Sequence, residues 1–185
     1  MIGVRLEVDA HIITGQATII KNVEKAVHQA GVDIDDIVPA ALAASESVLS
    51  RRQKELGVAV IDIGAGSTSI SVFEEGTTLY TGSLPIGGES VTNDVAIGLR
   101  TSIDTAEKIK IEYGTTTPDE VNERETIDLS LISKIDNQTV SKKHLAEIIQ
   151  ARYHEIFVMV KDELRAIGRD GMLPAGAILT GAGVK

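Results

Sequence analysis

Gly57-Val-Ala-Val-Ile-Asp-Ile-Gly-Ala-Gly-Ser-Thr68 opens a stretch, Gly57 to Pro85, around which the rest of the chain arranges itself. Val58 to Ile61 is an unbroken apolar run, the pattern of a strand buried on both faces. Asp62 interrupts it near its end, and a carboxylate there is costly unless it is paired, hydrogen-bonded or close to a cation. Gly64 and Gly66 follow at once, with Ser67 and Thr68 after them. Glycines at a sharp turn let backbone N–H groups converge on one concavity, which suits phosphate. An acid at a strand end facing such a turn has the chemistry of a magnesium-phosphate site. An ordinary β-hairpin whose Asp caps the turn accounts for the same residues, and these residues alone do not separate the two. A polar-apolar alternation, a Glu-Gly turn and a second alternating run complete the stretch.

The remaining composition narrows the function classes. At 185 residues the chain has room for a substantial core. A net charge of −9, aromatics at 3% and the lack of a basic stripe argue against a nucleic-acid partner. Zero cysteines exclude disulfides, thiolate metal sites and a cysteine nucleophile. No apolar run reaches membrane-spanning length and no signal-peptide pattern opens the chain, so a cytoplasmic location is expected.

Outward from Gly57, Ala40 to Leu56 is Ala-rich and reads as one helix. Asn22 to Ala30 reads as another, stopped by Gly31, and Gly3 to Thr14 as a strand. Glu89 to Leu99 reads as a helix opening on Gly87 and Gly88, with free N–H groups. Thr101-Ser-Ile-Asp104 resembles a capping box for a helix running to Tyr113. Two short strands are expected at Ile127–Ile132 and at 134–140. Ser141 then caps the longest helix, whose apolar stripe takes in Leu145, Ile148, Ile149, Ile156, Phe157, Val160, Leu164 and Ile167. A last strand, Ala177 to Leu179, exits through Thr180-Gly-Ala-Gly183. Two strands thus end in Gly-rich turns, and in open α/β sheets ligands sit outside the carboxyl ends of strands.

Asp62-Ile-Gly-Ala-Gly-Ser-Thr68 resembles the second phosphate motif of the actin-like ATPase superfamily, and Leu179-Thr-Gly-Ala-Gly183 resembles its adenosine motif. Glu107-x-x-Lys110 resembles the Glu/Lys pair that borders the adenosine in bacterial actins. Within the superfamily, Gly3-Val-Arg-Leu-Glu7, His11-Ile-Ile-Thr14, Leu84-Pro-Ile-Gly-Gly88 with Thr92-Asn-Asp94, and Ile148-Ile-x-Ala-Arg152 are similar to signatures of the bacterial cell-division FtsA family. The resemblance covers essentially the whole chain and implies an incomplete actin-like (ribonuclease H-like) α/β fold with a mixed sheet. It implies a fragment, lacking the family's N-terminal half and its C-terminal membrane-targeting helix. Residues 1–35 would be a remnant of subdomain 1C and 36–56 the returning helix of 1A. Residues 57–100 and 170–185 would form 2A, and 101–169 would form 2B.

That resemblance also implies chemistry. ATP would bind with Mg2+. Asp62 would hold the metal through water, and Gly64, Ala65, Gly66, Ser67 and Thr68 would meet the phosphates. Glu107 and Lys110 would meet sugar and base, with Gly181, Ala182 and Gly183 backing the adenine. A surface ion pair is the plain alternative for Glu107 and Lys110. Arg152 matches a position on the 2B surface that takes the C-terminal tail of FtsZ; a solvated charge paired with Glu155 is the alternative. Self-association into filaments, contacts with other divisome proteins and a peripheral place on the inner membrane face at the division site are further implications. The membrane contact would come only through a segment absent here. The family's water-orienting acid falls at Ala40, a change expected to lower hydrolysis by roughly two orders of magnitude or more. Weak hydrolysis at most is therefore expected. A type IV pilus assembly adaptor of the same fold and a small-molecule kinase of the superfamily are the competing readings.

Overall fold

The computed structural model describes residues 5, 7, 8, 10–133 and 136–184. Strand β1 (Val58–Ile63) lies inside a four-stranded sheet with β2 (Thr68–Glu74), β3 (Thr77–Leu84) and β6 (Ala177–Thr180), in the order β3-β2-β1-β6. Val58, Ala59, Val60 and Ile61 are all buried, as an unbroken apolar run requires. β1 pairs antiparallel with β2 and parallel with β6. The β2–β3 hairpin turns on Glu75 and Gly76, both at positive φ (52° and 76°), the left-handed pair that matches the twist of the flanking strands.

Each face of this sheet has its own cover. Ala59, Ile61, Ile63, Ile70 and Val72 pack against Ile156 and Val160 of α6 (Lys142–Ala166). On the other face Val58, Val60 and Phe73 meet Leu42 and Val48 of α2 (Ala40–Val48). A second core joins α4 (Gly88–Leu99), α5 (Ile103–Tyr113), the first turns of α6 and a two-stranded ribbon of β4 (Thr126–Asp128) and β5 (Thr139–Ser141). Val91, Val95, Ile109, Leu129, Leu145 and Ile149 fill it. At 25 residues, α6 serves both cores.

Several expectations need correcting. The described residues of the Gly3–Thr14 segment form no strand, and Val8 and Ile12 are exposed, because among the described residues none of them shares a backbone hydrogen bond with a neighbouring strand; Gly3, Val4, Leu6 and Asp9 lie outside the described residues. Helix α1 starts earlier than expected, spanning Ala17–Gln29, and buries none of its residues. The 40–56 helix is two helices: α2 ends at Val48, and α3 (Arg51–Leu56) restarts from Ser50. Ser50, not the Ala-rich composition, decides this, because its side chain forms a capping box with Gln53. The cap of α5 is Ser102, which accepts from the Thr105 N–H, while Thr101 donates its hydroxyl to Asp136. The strands near 127–140 shrink to three residues each, with a 3-10 turn at Leu129–Leu131; Lys134 and Ile135 lie outside the described residues. Phe157 is 38% exposed and falls off the buried stripe of α6.

Candidate functional site

Parallel pairing sets Asp62 opposite Thr180, so β1 and β6 end side by side. Both glycine corners therefore leave the sheet at one end. A Cβ on Gly181 would stand 2.5 Å from Asp62 Oδ1, and one on Gly183 would stand 2.9 Å from the Ile63 carbonyl oxygen. Gly181 also has φ +95°, a conformation that glycine adopts without strain. The turn after β6 is thus pressed onto the end of β1, and only residues without a side chain allow it.

A cleft of about 490 Å³ opens beside these corners. Gly64 and Ala65 line it from the first turn, and Ala182 and Gly183 from the second. Glu89, Thr92 and Asn93 come from the first turns of α4, and Ile103, Asp104, Glu107 and Lys110 from α5. The expectation of free N–H groups at the start of α4 fails at Gly88, while the Gly87 N–H has no acceptor among the described residues. The Gly88 N–H donates to the Gly64 carbonyl (2.9 Å) and the Glu89 N–H to the Ala65 carbonyl (2.8 Å). Those amides fasten the turn to the helix. Among the described residues the N–H groups of Ala65 and Gly66 have no acceptor, so the turn itself keeps the open donors.

Glu107 and Lys110 do more than pair on a surface. Lys110 Nζ donates to Glu107 Oε2 (2.6 Å), to Thr92 Oγ1 (2.7 Å) and to the Gly88 carbonyl (3.2 Å). The Thr92 hydroxyl also donates to Glu107. Burial works to raise the Glu107 pKa, but the hydrogen bonds from Lys110 and Thr92 outweigh it and hold the carboxyl below its usual range. The result is a polar knot joining α5 to the mouth of α4.

Of the residues singled out from sequence, Gly64, Ala65, Glu107, Lys110, Ala182 and Gly183 line the cleft, while Asp62, Gly66, Ser67, Thr68 and Gly181 do not. Asp62 is half-buried next to last in β1, on the sheet face that carries Val58 and Val60. Among the described residues no group of three His, Cys, Asp or Glu side chains is arranged to hold a metal directly. Gly66 and Ser67 are exposed at the tip of the turn. Thr68 is fully buried and donates its hydroxyl to the Ile86 carbonyl (2.8 Å), so it braces the corner from behind. Glu89, Thr92, Asn93, Ile103 and Asp104 were not singled out from sequence for this site. Helical spacing is the signal that finds the last two, since Ile103 and Asp104 lie four and three residues before Glu107.

Arg152 lies away from this lining and pairs with Glu155, as its plain alternative reading expects. Its guanidinium grips Asp94 on α4 through Nε (2.5 Å) and Nη2 (2.8 Å) and also holds Glu155 through Nη1 (2.6 Å). The Asp94 bonds come first in holding its charge, pushing its pKa up.

Comparison with known proteins fits this geometry. The profile described as "Cell division protein FtsA" matches residues 59–183, from β1 through the second glycine corner. The chain belongs to the FtsA family. FtsA of Bacillus subtilis is 45% identical over 181 residues, covering 98% of this chain and 41% of that protein. The chain thus spans less than half the length of the curated FtsA relatives it matches. Two solved structures share the fold at lower identity. MreB5 of Spiroplasma citri bound to ADP superposes with a TM-score of 0.69 at 18% identity, over 91% of this chain and 55% of that one. A PilM–PilN type IV pilus biogenesis complex gives 0.63 at 18%, over 89% and 40%. The fold is actin-like, and the sequence places it with FtsA rather than with the pilus adaptor. Among the described residues no helix is long and apolar enough to cross a membrane.

Proposed function

We propose that this chain supplies one wall of the nucleotide cleft of an actin-like cell-division scaffold, with ATP and Mg2+ as the ligands. The observation that carries the reading is the β1–β6 register, which brings both glycine corners to one sheet end beside Glu107 and Lys110. The residues suit the group. Ala65 and Gly66 offer open amides to phosphate. Asp62 supplies a hard oxygen that would reach Mg2+ through water, and Ser67 adds a hydroxyl at the turn. Glu107 and Lys110 would trade part of their mutual bonding for the sugar and base, and Gly181 to Gly183 would back the adenine. Mg2+ supplies charge neutralisation at the phosphates when bound; this chain binds and orients. Ala40, at the exposed start of α2, offers no carboxylate to orient water, so hydrolysis is feeble.

In this reading residues 57–100 and 170–185 form subdomain 2A, 101–169 form 2B, 36–56 return from 1A, and 1–35 belong to 1C. The 2B surface around Arg152 takes the acidic-apolar tail of FtsZ, and the whole protein self-associates and meets other divisome proteins. Its place is cytoplasmic, peripheral to the membrane at the division site. Two measurements test the reading. Titration of the chain with Mg·ATP and Mg·ADP, followed by amide chemical shifts, should move Gly64–Ser67 and Gly181–Gly183 together, with dissociation in the millimolar range. Shifts scattered elsewhere, or none, would refute the cleft. An FtsZ-tail peptide should lose binding to an Arg152→Ala chain; unchanged binding removes Arg152 from the partner surface.

A further inference from the structure

Two consecutive residues of α6 hold the elements on opposite sides of the cleft. Arg152 grips Asp94 of α4, and the same helix presents Glu89, Thr92 and Asn93 to the cleft. Tyr153 turns the other way and donates its hydroxyl to the Gly183 carbonyl, in the turn that lines the far side. We infer that Tyr153 is a positioning residue for the base end of the cleft: its hydroxyl fixes the Gly181–Gly183 turn relative to α4 and so sets the opening into which an adenosine fits. The inference rests on the nucleotide reading above and adds a residue to it.

Three observations support it. The Tyr153 ring packs against both hydrophobic cores, so it cannot swing without disturbing one of them. Its hydroxyl is the one polar atom of that ring, and it lies on a backbone carbonyl of the glycine corner. Gly183 is already pressed on its other side by Ile63, whose Cγ2 would sit 2.7 Å from a Cβ at that position. The turn is therefore held between the end of β1 and the phenol. Burial, and then the negative charge of Glu107 on the α5 wall, push the phenol pKa up, which keeps the hydroxyl a donor.

The Tyr153 hydroxyl bonds the second glycine corner and not the Gly64–Ser67 turn. Loss of the hydroxyl should therefore weaken ligands that carry a base and spare those that do not. Tyr153→Phe keeps the ring and its packing, and an unchanged thermal transition would show that the fold survives. Mg·ADP and magnesium pyrophosphate are each titrated into wild-type and Tyr153→Phe chains, with amide shifts as the readout. The expected result is about a fivefold weaker Mg·ADP, the worth of one hydrogen bond, with pyrophosphate unchanged. Hydrogen exchange at Gly183 and Val184 should also quicken in the variant. Equal affinity for Mg·ADP in both chains overturns the inference while leaving the nucleotide reading intact. Equal weakening of both ligands also overturns it, since that marks a general loss of structure. A wild-type chain that binds neither ligand at these corners removes the nucleotide reading and this inference with it.

Discussion

At the scale of single residues, the cleft depends on atoms that are missing as much as on those present. Gly87 has extended backbone, yet a Cβ there would stand 2.5 Å from the Ala65 carbonyl oxygen and 2.6 Å from that of Gly64. Those are the carbonyls that the α4 amides use. Backbone cannot step aside as a flexible side chain can, so Gly87→Ala should cost about 1–3 kcal/mol in chemical denaturation, and exchange at Gly88 and Glu89 should accelerate. An unchanged midpoint would mean that the turn and α4 are not locked together. Glu107 tests the polar knot through pH. Its folded pKa lies below the ordinary 4.5, so its contribution is fully present above that value and disappears as pH falls through the depressed folded pKa. The stability gap between wild type and Glu107→Gln should therefore be flat at neutral pH and close on acidification. A gap that widens toward acid would reverse the assigned sign.

Elements show where reading the sequence succeeds and where it stops. β1 was legible because an apolar run of that length, ended by Asp and Gly, has few other uses. Helix α6 was legible because Ser141 and Gly168 bracket a long periodic stripe, and Gly168 does take positive φ. The break between α2 and α3 was lost because Ala, Leu and Glu are good helix formers on both sides of it, and the deciding signal is the four-residue box Ser50-x-x-Gln53. The α4 amides were misread for a different reason. A glycine-initiated helix looks free in one dimension, and only the hairpin's return brings the Gly64 and Ala65 carbonyls to it. The corner at Ser50 also anchors the hairpin, since Gly76 N–H donates to the Lys54 carbonyl and Glu75 N–H to that of Glu55. Ser50→Ala should cost about 1 kcal/mol in thermal or urea unfolding, with faster exchange at Lys54, Glu75 and Gly76. Loss confined to α3, with the hairpin amides unmoved, would show that the two elements are independent.

At the scale of the whole molecule, two cores share one helix. Leu145 and Ile149 sit in the core with α4 and α5, Ile156 and Val160 in the sheet core, and Tyr153 touches both. Each end of α6 is also tied elsewhere: Lys142 and Lys143 pair with Glu125 and Glu123, Glu163 accepts from Tyr80, and just past the helix Arg169 grips Glu74. The Tyr80 phenol, pushed up to about 12 first by burial and then by Glu163, stays a donor through the neutral range. Such a helix transmits unfolding of one core to the other only while its middle stays rigid. His154 is exposed in that middle, so changes there remove no packing. His154→Gly should cost about 1 kcal/mol and leave a single transition. His154→Pro removes a helical hydrogen bond and clashes with the preceding turn, costing about 3 kcal/mol or more. It should split calorimetric unfolding into two steps, with amides around Ile109 and those around Ile61 exchanging at different free energies. One shared transition in the proline variant would mean that the sheet and α4, through the Gly64 and Ala65 carbonyls, couple the cores without α6.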